Sequence, residues 1–276
     1  MIYNFSAPAK INLGLEVLNK RDDNFHNIKT IFQFLDWGDE ISLDTNTEET
    51  KIICSDLPQE ENIIHKLLSI LGEKNVFTKK IKIEVKKKIP FKSGLGGASS
   101  NAASVLLALN KIFKLELKSK ELFRIALTLG SDVPIFIHGE SCEAFGRGEV
   151  FKKISLQEKP ILIILPNCKI STKEAFENIG SFNNKPKNKK VYINHFETWA
   201  RKKHDEINES FLWIEKYNEA FLSGTGSTIF SLFNNFDEAT KIMDNAPSNM
   251  NCFVTTTLNN SPIKNEIKKL WGVAKR

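Results

Sequence analysis

The chain has 276 residues, of which 41% are hydrophobic and 26% are charged, and its formal net charge is +6. This composition is typical of a globular protein long enough for one large domain or two ordinary ones. The apolar run at 161–165 is too short to cross a bilayer, and Lys10 and Asn12 interrupt any N-terminal signal core. We therefore expect a cytoplasmic protein with no membrane partner.

The basic charge is compatible with an anionic substrate or with nucleic acid. Its densest part is the tract Lys185–Lys190, which has no aromatic residue among its lysines. The tract is interpreted as a solvated loop, and no nucleic-acid partner is expected. The cysteines are far apart and lack metal-ligand spacing, so we interpret them as reduced packing residues: Cys54, Cys142, Cys168 and Cys252.

Residues 9–17 alternate between apolar and polar side chains, which predicts a strand with Lys10 and Asn12 side by side on its polar face. Lysine is depleted from strands, so Lys10 invites a functional explanation, with an exposed outer face as the alternative. A charged loop follows and presents Phe25 and His26 together.

Three short strands and one helix come next, and their patterns place them at 31–34, 40–44, 52–54 and 62–71. After a further strand at 81–85, the segment Pro90–Ser100 reads Pro-Phe-Lys-Ser-Gly-Leu-Gly-Gly-Ala-Ser-Ser, and a helical apolar stripe begins at Ala102. We expect Ser99 or Ser100 to cap this helix.

A glycine loop between a strand and a helix is suited to binding phosphate. Glycine lets another group approach the main chain, and the first turn of a helix offers unpaired amide donors with partial positive charge. A tight turn without a ligand is the alternative. The spacing within Pro90–Ser100 matches neither a P-loop nor a dinucleotide fingerprint.

A second helix at 117–129 ends at Gly130, and Asp132 follows, two residues before Pro134. Asp132 is either a helix cap with proline in the first turn or a carboxylate held at a helix start. The apolar segment 160–166 is interpreted as a buried strand.

A domain boundary is placed just before this apolar strand, which divides the chain into an N-terminal domain, 1–155, and a C-terminal domain, 156–276. The C-terminal pattern predicts helices near 193–203, 206–217 and 236–243, a strand, glycine loop and strand at 221–230, and a last strand and helix at 252–258 and from 262. Strands and helices are interspersed without strict alternation, which favours an α+β fold.

The pattern Pro-x-x-x-Gly-Leu-Gly-Gly-Ala-Ser-Ser at 90–100 resembles the phosphate loop of the GHMP kinases. Further segments that resemble this family, in the same order, are Ala7–Leu13, Phe25-His26, Phe32–Asp36, Asn62, Gly130–Pro134, Asn194–Glu197 and Ser223–Ser227. The resemblance covers nearly the whole chain. It implies a two-domain α+β fold, with a left-handed βαβ unit in the N-terminal ATP-binding domain and a smaller, ferredoxin-like C-terminal domain.

The resemblance is strongest to the family members that act on a cytidine diphosphate derivative. It implies a kinase that uses ATP, accompanied by Mg²⁺, to phosphorylate the 2-hydroxyl of 4-diphosphocytidyl-2-C-methyl-D-erythritol in the non-mevalonate isoprenoid pathway. The alternatives are another GHMP kinase acting on homoserine or mevalonate, a basic nucleic-acid-binding protein, and a silent small-molecule sensor. Phe25 and His26 argue against the first alternative, because homoserine and mevalonate have no base to stack.

By the resemblance, Asp132 is the general base that accepts the hydroxyl proton, and Lys10 favours its carboxylate and the developing alkoxide. The nucleotide site implied by the resemblance comprises Asn62 near the adenine and, in the loop, Pro90, Phe91, Lys92, Ser93, Gly94, Leu95, Gly96, Gly97, Ala98, Ser99 and Ser100. Two loop residues depart from the family pattern, because a small residue is usual at Lys92 and a glycine at Ala98.

The resemblance also implies a cytosine site, in which His26 hydrogen-bonds the base between the rings of Phe25 and Phe176. Phe25 replaces the more usual tyrosine there, so stacking is kept and a hydroxyl is lost. Asn12 is expected to orient the erythritol portion, and Thr172 to lie near the cytidine. The sequence has no cluster of carboxylates that would identify protein ligands of Mg²⁺, and it does not indicate the oligomeric state.

Overall fold

A computed structural model describes residues 1–54, 62–179 and 191–273, with side chains up to residue 269. The tract Lys185–Lys190 lies outside the described residues. The strands are β1 (Ile2–Lys20), β2 (His26–Asp44), β3 (Lys51–Cys54), β4 (Lys82–Lys86), β5 (Cys142–Phe145), β6 (Val150–Lys153), β7 (Pro160–Ile164), β8 (Phe221–Leu222), β9 (Ile229–Leu232) and β10 (Cys252–Leu258). The helices are α1 (Ile63–Glu73), α2 (Gly97–Ile112), α3 (Ser119–Leu129), α4 (Val133–His138), α5 (Thr172–Asn178), α6 (Glu197–Lys203), α7 (Asp205–Ile214), α8 (Phe236–Met243) and α9 (Pro262–Val273).

The N-terminal half is built around β1 and β2, which pair antiparallel over nearly their whole length. Register shifts between Pro8 and Lys10 and between Asn12 and Gly14 interrupt this ladder, and such irregularities re-aim side chains. β4 and β5 pair antiparallel with opposite ends of β2, and β6 pairs with β5. β3 lies parallel to β4 with α1 between them in the chain, which makes a βαβ unit.

Helices α1 to α4 pack with the N-terminal strands in one buried core. The apolar stripe predicted for α2 is confirmed, since four of its residues are fully buried: Ala102, Val105, Leu106 and Leu109. α2 therefore has a fixed face on this core, and its N-terminus is held at a defined place beside the sheet.

The C-terminal half contains an antiparallel sheet with the strand order β10-β7-β9-β8. Helices α5, α6 and α7 connect β7 to β8, and α8 connects β9 to β10. This order and connectivity form the split βαβ arrangement of ferredoxin-like domains, as the resemblance implied.

Strand β10 joins the two halves. Thr257 and Leu258 pair with β2, whereas the earlier residues of β10 pair with β7. Helix α9 then returns to the N-terminal half, where Ile263 lies in the first core and Glu266 accepts hydrogen bonds from the backbone N and Oγ of Ser6 at 2.6 and 2.8 Å. The boundary predicted before residue 156 stays a prediction, and α9 packs on the N-terminal side of it.

A further buried core lies where the halves meet. It combines side chains of β1, the glycine loop and the C-terminal strands, among them Ala9, Ile11, Leu13, Leu95, Ile161, Ile163 and Phe230. The opposite face of β1 is covered as well, because Lys10 is only 2% exposed and Asn12 only 3%. The alternative that these two residues lie on an exposed outer face is therefore wrong.

Candidate active site

A cleft of about 1070 Å³ lies between the two halves. Its wall contains most of the predicted site residues, which are Lys10, Asn12, Phe25, His26, Pro90, Phe91, Lys92, Ser93, Gly94, Gly96, Gly97, Ala98, Ser99, Asp132, Thr172 and Phe176. Residues that are distant in the sequence are thus brought together around one space.

Two glycines allow the loop to run tightly between its neighbours. Gly94 and Gly96 have φ values of 82° and 73°, a region that other residues rarely adopt. A Cβ at Gly94 would lie 2.3 Å from the carbonyl oxygen of Ser223, and one at Gly96 would lie 3.0 Å from Lys10 Cε. Lys92 also has a positive φ, 57°, and its exposed side chain is in the wall of the cleft.

Helix α2 begins at Gly97, and the prediction that Ser99 or Ser100 caps it is wrong. Gly96 occupies the cap position, and no side chain makes a capping hydrogen bond. Ser100 Oγ instead donates to the Pro8 carbonyl oxygen at 2.7 Å and fastens α2 to β1. The first turn of α2 therefore keeps its amide groups for another acceptor, as an anion site requires.

Lys10 is held by three oxygen atoms. Its Nζ donates to Asn12 Oδ1 at 2.6 Å and to the Gly94 carbonyl oxygen at 3.1 Å, and it lies 3.3 Å from Asp132 Oδ2. The predicted proximity of Lys10 and Asn12 is confirmed. Since the side chain of Lys10 is only 3% exposed, these partners fix the ammonium between β1, the glycine loop and Asp132.

Asp132 occupies the N-cap position of α4, but its carboxylate makes no capping hydrogen bond. The carboxylate instead forms the ion pair with Lys10, and its side chain is 43% exposed. The predicted cap position of Asp132, with proline in the first turn, is thus confirmed, but the Asp132 side chain does not cap the helix. A carboxylate that is oriented by a buried ammonium and also open to the cleft is suited to accept a proton from a bound hydroxyl.

The second glycine loop, residues 223–227, supports the first. Ser223 Oγ donates to the Gly94 carbonyl oxygen at 3.0 Å, and Asn194 Nδ2 donates to the carbonyl oxygens of Leu222 and Gly224, both at 2.8 Å. Gly224, Thr225 and Gly226 also line the cleft. The sequence located this loop but not its role, because the contact with Gly94 spans 129 residues.

The predicted cytosine-binding residues lie together in another part of the wall. The His26 ring stacks on Phe176 with 5.1 Å between ring centres, and the Arg147 guanidinium lies 3.6 Å from the centre of the Phe25 ring. Burial, and then the charge of Lys20, lowers the pKa of His26 below its ordinary 6.5. The imidazole is therefore neutral at pH 7 and offers one donor and one acceptor.

The described part of the cleft wall also contains cationic side chains that the sequence analysis did not predict: Lys20, Lys87, Arg147 and Lys173. Lys87 forms a buried ion pair with Asp39, whose Oδ1 accepts from the backbone amides of Lys88 and Ile89 at 2.7 and 2.8 Å. No motif distinguishes these residues from the many other lysines. They make this wall suited to an anionic ligand.

Three predicted nucleotide-site residues are not in the described wall of the cleft. Asn62 caps α1 by accepting from the Ile64 amide at 2.9 Å, and its contact with adenine stays a prediction. Leu95 and Ser100 are fully buried, the Leu95 carbonyl oxygen accepts from the Lys10 amide and the Ser100 amide donates to Gly96, so their contact with the nucleotide stays a prediction.

Comparison with known proteins decides the family. The family descriptions "GHMP kinases N terminal domain" and "GHMP kinases C terminal" match residues 62–140 and 174–252. The 4-diphosphocytidyl-2-C-methyl-D-erythritol kinase of Colwellia psychrerythraea is 36% identical over 280 residues, which cover 96% of this chain and 93% of that protein. The chain belongs to this family of GHMP kinases. The kinase of the same name from Pseudoalteromonas translucida is 33% identical over 277 residues and 98% of each chain.

Solved structures confirm the two-domain GHMP kinase fold. A crystal structure of 4-(cytidine 5'-diphospho)-2C-methyl-D-erythritol kinase matches with a TM-score of 0.80 and 28% identity, over 92% of this chain and 98% of that one. A mevalonate kinase matches with a TM-score of 0.65 at 16% identity, over 94% and 100%, and shares the fold alone. As a GHMP kinase, this family member uses ATP as its phosphoryl donor. In the part of the chain that the structure describes, no helix has the length and hydropathy to span a bilayer.

Proposed function

We propose that the protein transfers the γ-phosphate of ATP to the 2-hydroxyl of 4-diphosphocytidyl-2-C-methyl-D-erythritol. The observation that carries this proposal is the placement of the Lys10–Asp132 pair, 3.3 Å apart, beside a glycine loop with an uncapped helix. The names of the relatives, and aromatic rings beside a neutral histidine in the same cleft, support the cytidine substrate.

Asp132 is the general base in this reaction, because its exposed carboxylate can accept the hydroxyl proton as the oxygen attacks the phosphorus atom. Lys10 lies 3.3 Å from the Asp132 carboxylate and is itself held by Asn12 and Gly94. Its charge favours the ionised form of Asp132 before the transfer and the developing alkoxide during it. Asn12 thus positions Lys10 as well as the erythritol portion of the substrate.

The nucleotide phosphates bind at the N-terminus of α2, where backbone amides and the partial positive charge of the helix meet the loop. Gly94 and Gly96 keep this approach open, since a side chain at either position would meet a neighbouring residue. The cytosine binds at the other end, where His26 reads its edge and the rings of Phe25 and Phe176 contact its faces. Thr172, whose Oγ1 lies 3.5 Å from Thr225 Oγ1, contacts the cytidine from the C-terminal half.

When bound with ATP, Mg²⁺ would neutralise charge on the transferring phosphates. Among the described residues the wall contains the carboxylates of Asp132 and Glu177. This set fits Mg²⁺, which commonly uses one or two carboxylates together with phosphate oxygens and water. Asp132, which Lys10 connects to the glycine loop, and Glu177 would hold the ion.

Replacing Asp132 with asparagine tests the chemistry. We expect Asp132→Asn to abolish turnover in a coupled ADP-release assay and to leave the affinity for ATP nearly unchanged, because the variant keeps the size of the side chain and loses the base. Asp237→Asn, in the first turn of α8, is the control and should keep full activity. Retained turnover in Asp132→Asn would remove this residue from the role of base.

A panel of alcohols tests the substrate. The cytidine diphosphate substrate should be phosphorylated, whereas homoserine and mevalonate should not, because they cannot occupy the aromatic end of the cleft. His26→Ala should mainly raise KM for the cytidine substrate. Turnover confined to homoserine or mevalonate would refute the substrate assignment while leaving the kinase chemistry intact.

A further inference from the structure

Cys168, His204 and Glu206 meet in the C-terminal half, and none of them lines the cleft. Cys168 follows β7, His204 joins α6 to α7, and Glu206 lies in the first turn of α7. One donor atom from each side chain lies within 4.8 Å of the other two. Within residues 1–54, 62–179 and 191–273, no other three histidine, cysteine or acidic side chains form such a group.

The three donor types suit a divalent cation of borderline softness. Thiolate sulfur, imidazole nitrogen and carboxylate oxygen are the ligands of Zn²⁺, with bonds of about 2.0–2.3 Å in tetrahedral geometry. At those bond lengths two ligand atoms are about 3.5 Å apart, so small side-chain adjustments bring the observed group to the spacing of a zinc site.

The surroundings of the group also favour a cation. His204 Nε2 is buried and has no hydrogen-bond partner, which costs free energy until a partner is supplied. A bound cation would offset the negative charge that Glu206 and an ionised Cys168 bring to the same place.

Ser227 provides support from outside the ligand group. Its hydroxyl is close enough to Cys168 to interact with a thiolate there, and outer contacts of this kind orient metal ligands in many sites. Ser227 belongs to the second glycine loop, whose neighbouring residues line the cleft. An ion bound here would connect Cys168, and the second glycine loop beside it, to the junction of α6 and α7.

We propose that Cys168, His204 and Glu206 bind one Zn²⁺ per chain, with a fourth position occupied by water. Binding replaces the proton of the Cys168 thiol, which is released to solvent, and no redox change takes place. The site fixes the segment after β7 to the α6–α7 junction. It is separate from the proposed nucleotide and cytidine sites, so its test does not depend on turnover.

Metal titration of untagged, chelator-treated protein tests the proposal. We expect one equivalent of Zn²⁺ to bind and to raise the melting temperature, because the ion binds the folded chain. Co²⁺, used as a probe, should give a thiolate-to-metal charge-transfer band. Cys168→Ser should abolish this band, whereas Cys252→Ser, which changes another half-buried cysteine, should leave the band and the stoichiometry unchanged.

Glu206→Gln gives a second variant, because Glu206 is exposed and its replacement spares the core. It should weaken Zn²⁺ binding without changing the melting temperature of the metal-free protein. Ser227→Ala should weaken binding about tenfold or more, because the Cys168 thiolate loses the neighbouring hydroxyl. The proposal is overturned if the wild type shows no saturable binding, or if one-equivalent binding survives both Cys168→Ser and Glu206→Gln.

Discussion

The replacement Lys10→Met removes the ammonium from the proposed site and keeps the length of the side chain. Three groups then lose an interaction: Asn12 Oδ1, the Gly94 carbonyl oxygen, which keeps its hydrogen bond from Ser223 Oγ, and the Asp132 carboxylate. All three lie in the wall of the cleft and outside the hydrophobic cores. We therefore expect the fold to persist and the chemical step to be slowed.

The distance between Lys10 and Asp132 gives an estimate of how much this replacement slows the chemical step. At the 3.3 Å separation of Lys10 and Asp132, two unit charges attract by about 5 kcal/mol at an effective dielectric constant of about 20. Water at the 43% exposed Asp132 side chain screens part of this attraction. Loss of a preorganised electrostatic partner costs about 2.7–4 kcal/mol of transition-state stabilisation, which lies below that ceiling and lowers kcat about 100- to 1000-fold.

The assay is coupled ADP release at saturating ATP and cytidine substrate, with the affinity for an ATP analogue measured separately. Lys86→Met is the matched control, because Lys86 is 73% exposed and pairs with Glu40 at the surface. We expect the control to keep the wild-type kcat. A Lys10→Met protein that is folded and retains kcat within tenfold of the wild type would refute the reasoning.

Three further predictions follow from the same structure. Gly94→Ala should lower the melting temperature and raise KM for ATP, because its φ is 82° and its Cβ would lie 2.3 Å from a carbonyl oxygen. Gly72→Ala, whose Cβ would have no neighbour nearer than 3.9 Å, should be neutral or stabilising, and equal effects of the two variants would contradict this account. Because the pKa of His26 in the folded protein is lower than its ordinary 6.5, the neutral imidazole stabilises the fold above pH 6.5. This stabilisation is lost as the pH falls from 6.5 through the lowered pKa. KM for the cytidine substrate should rise over the same interval, and a His26→Asn variant with the same pH profile as the wild type would argue against it. Hydrogen bonds from Lys153 and Lys264 lower the pKa of Glu140 from 4.5 to about 2, so this group stabilises the fold above pH 4.5 and stops doing so as pH falls towards 2. The difference in unfolding midpoint between the wild type and Glu140→Gln should shrink over that range, and a constant difference would be inconsistent with this pairing.

The period-2 pattern of the first strand predicted that Lys10 and Asn12 are neighbours, and the structure confirms it. Alternation could not show that both faces of this strand are buried. That burial depends on Ser223, whose Oγ accepts from the Asn12 amide across 211 residues, and on Leu95 packed with the C-terminal strands. Local patterns carry no information about such distant partners.

The prediction that a serine caps α2 was wrong for a related reason. Ser99 and Ser100 are common capping residues, but Gly96 already turns the chain with a positive φ, so the helix begins earlier. Ser100 is then left to bind Pro8, a partner on another strand. The proposed zinc ligands were equally invisible, because Cys168 and His204 come from separate elements and have no ligand spacing in the sequence.

The return of the chain from β10 into α9 has a consequence for synthesis on the ribosome. Ile263 completes the first core, and Glu266 holds Ser6 through two hydrogen bonds across 260 residues. The N-terminal half is therefore translated first but completes its fold last, because its hydrophobic core lacks Ile263 until α9 has left the ribosomal exit tunnel. Until then, the nascent chain exposes apolar surface on its earliest strands, which is the surface that chaperones bind.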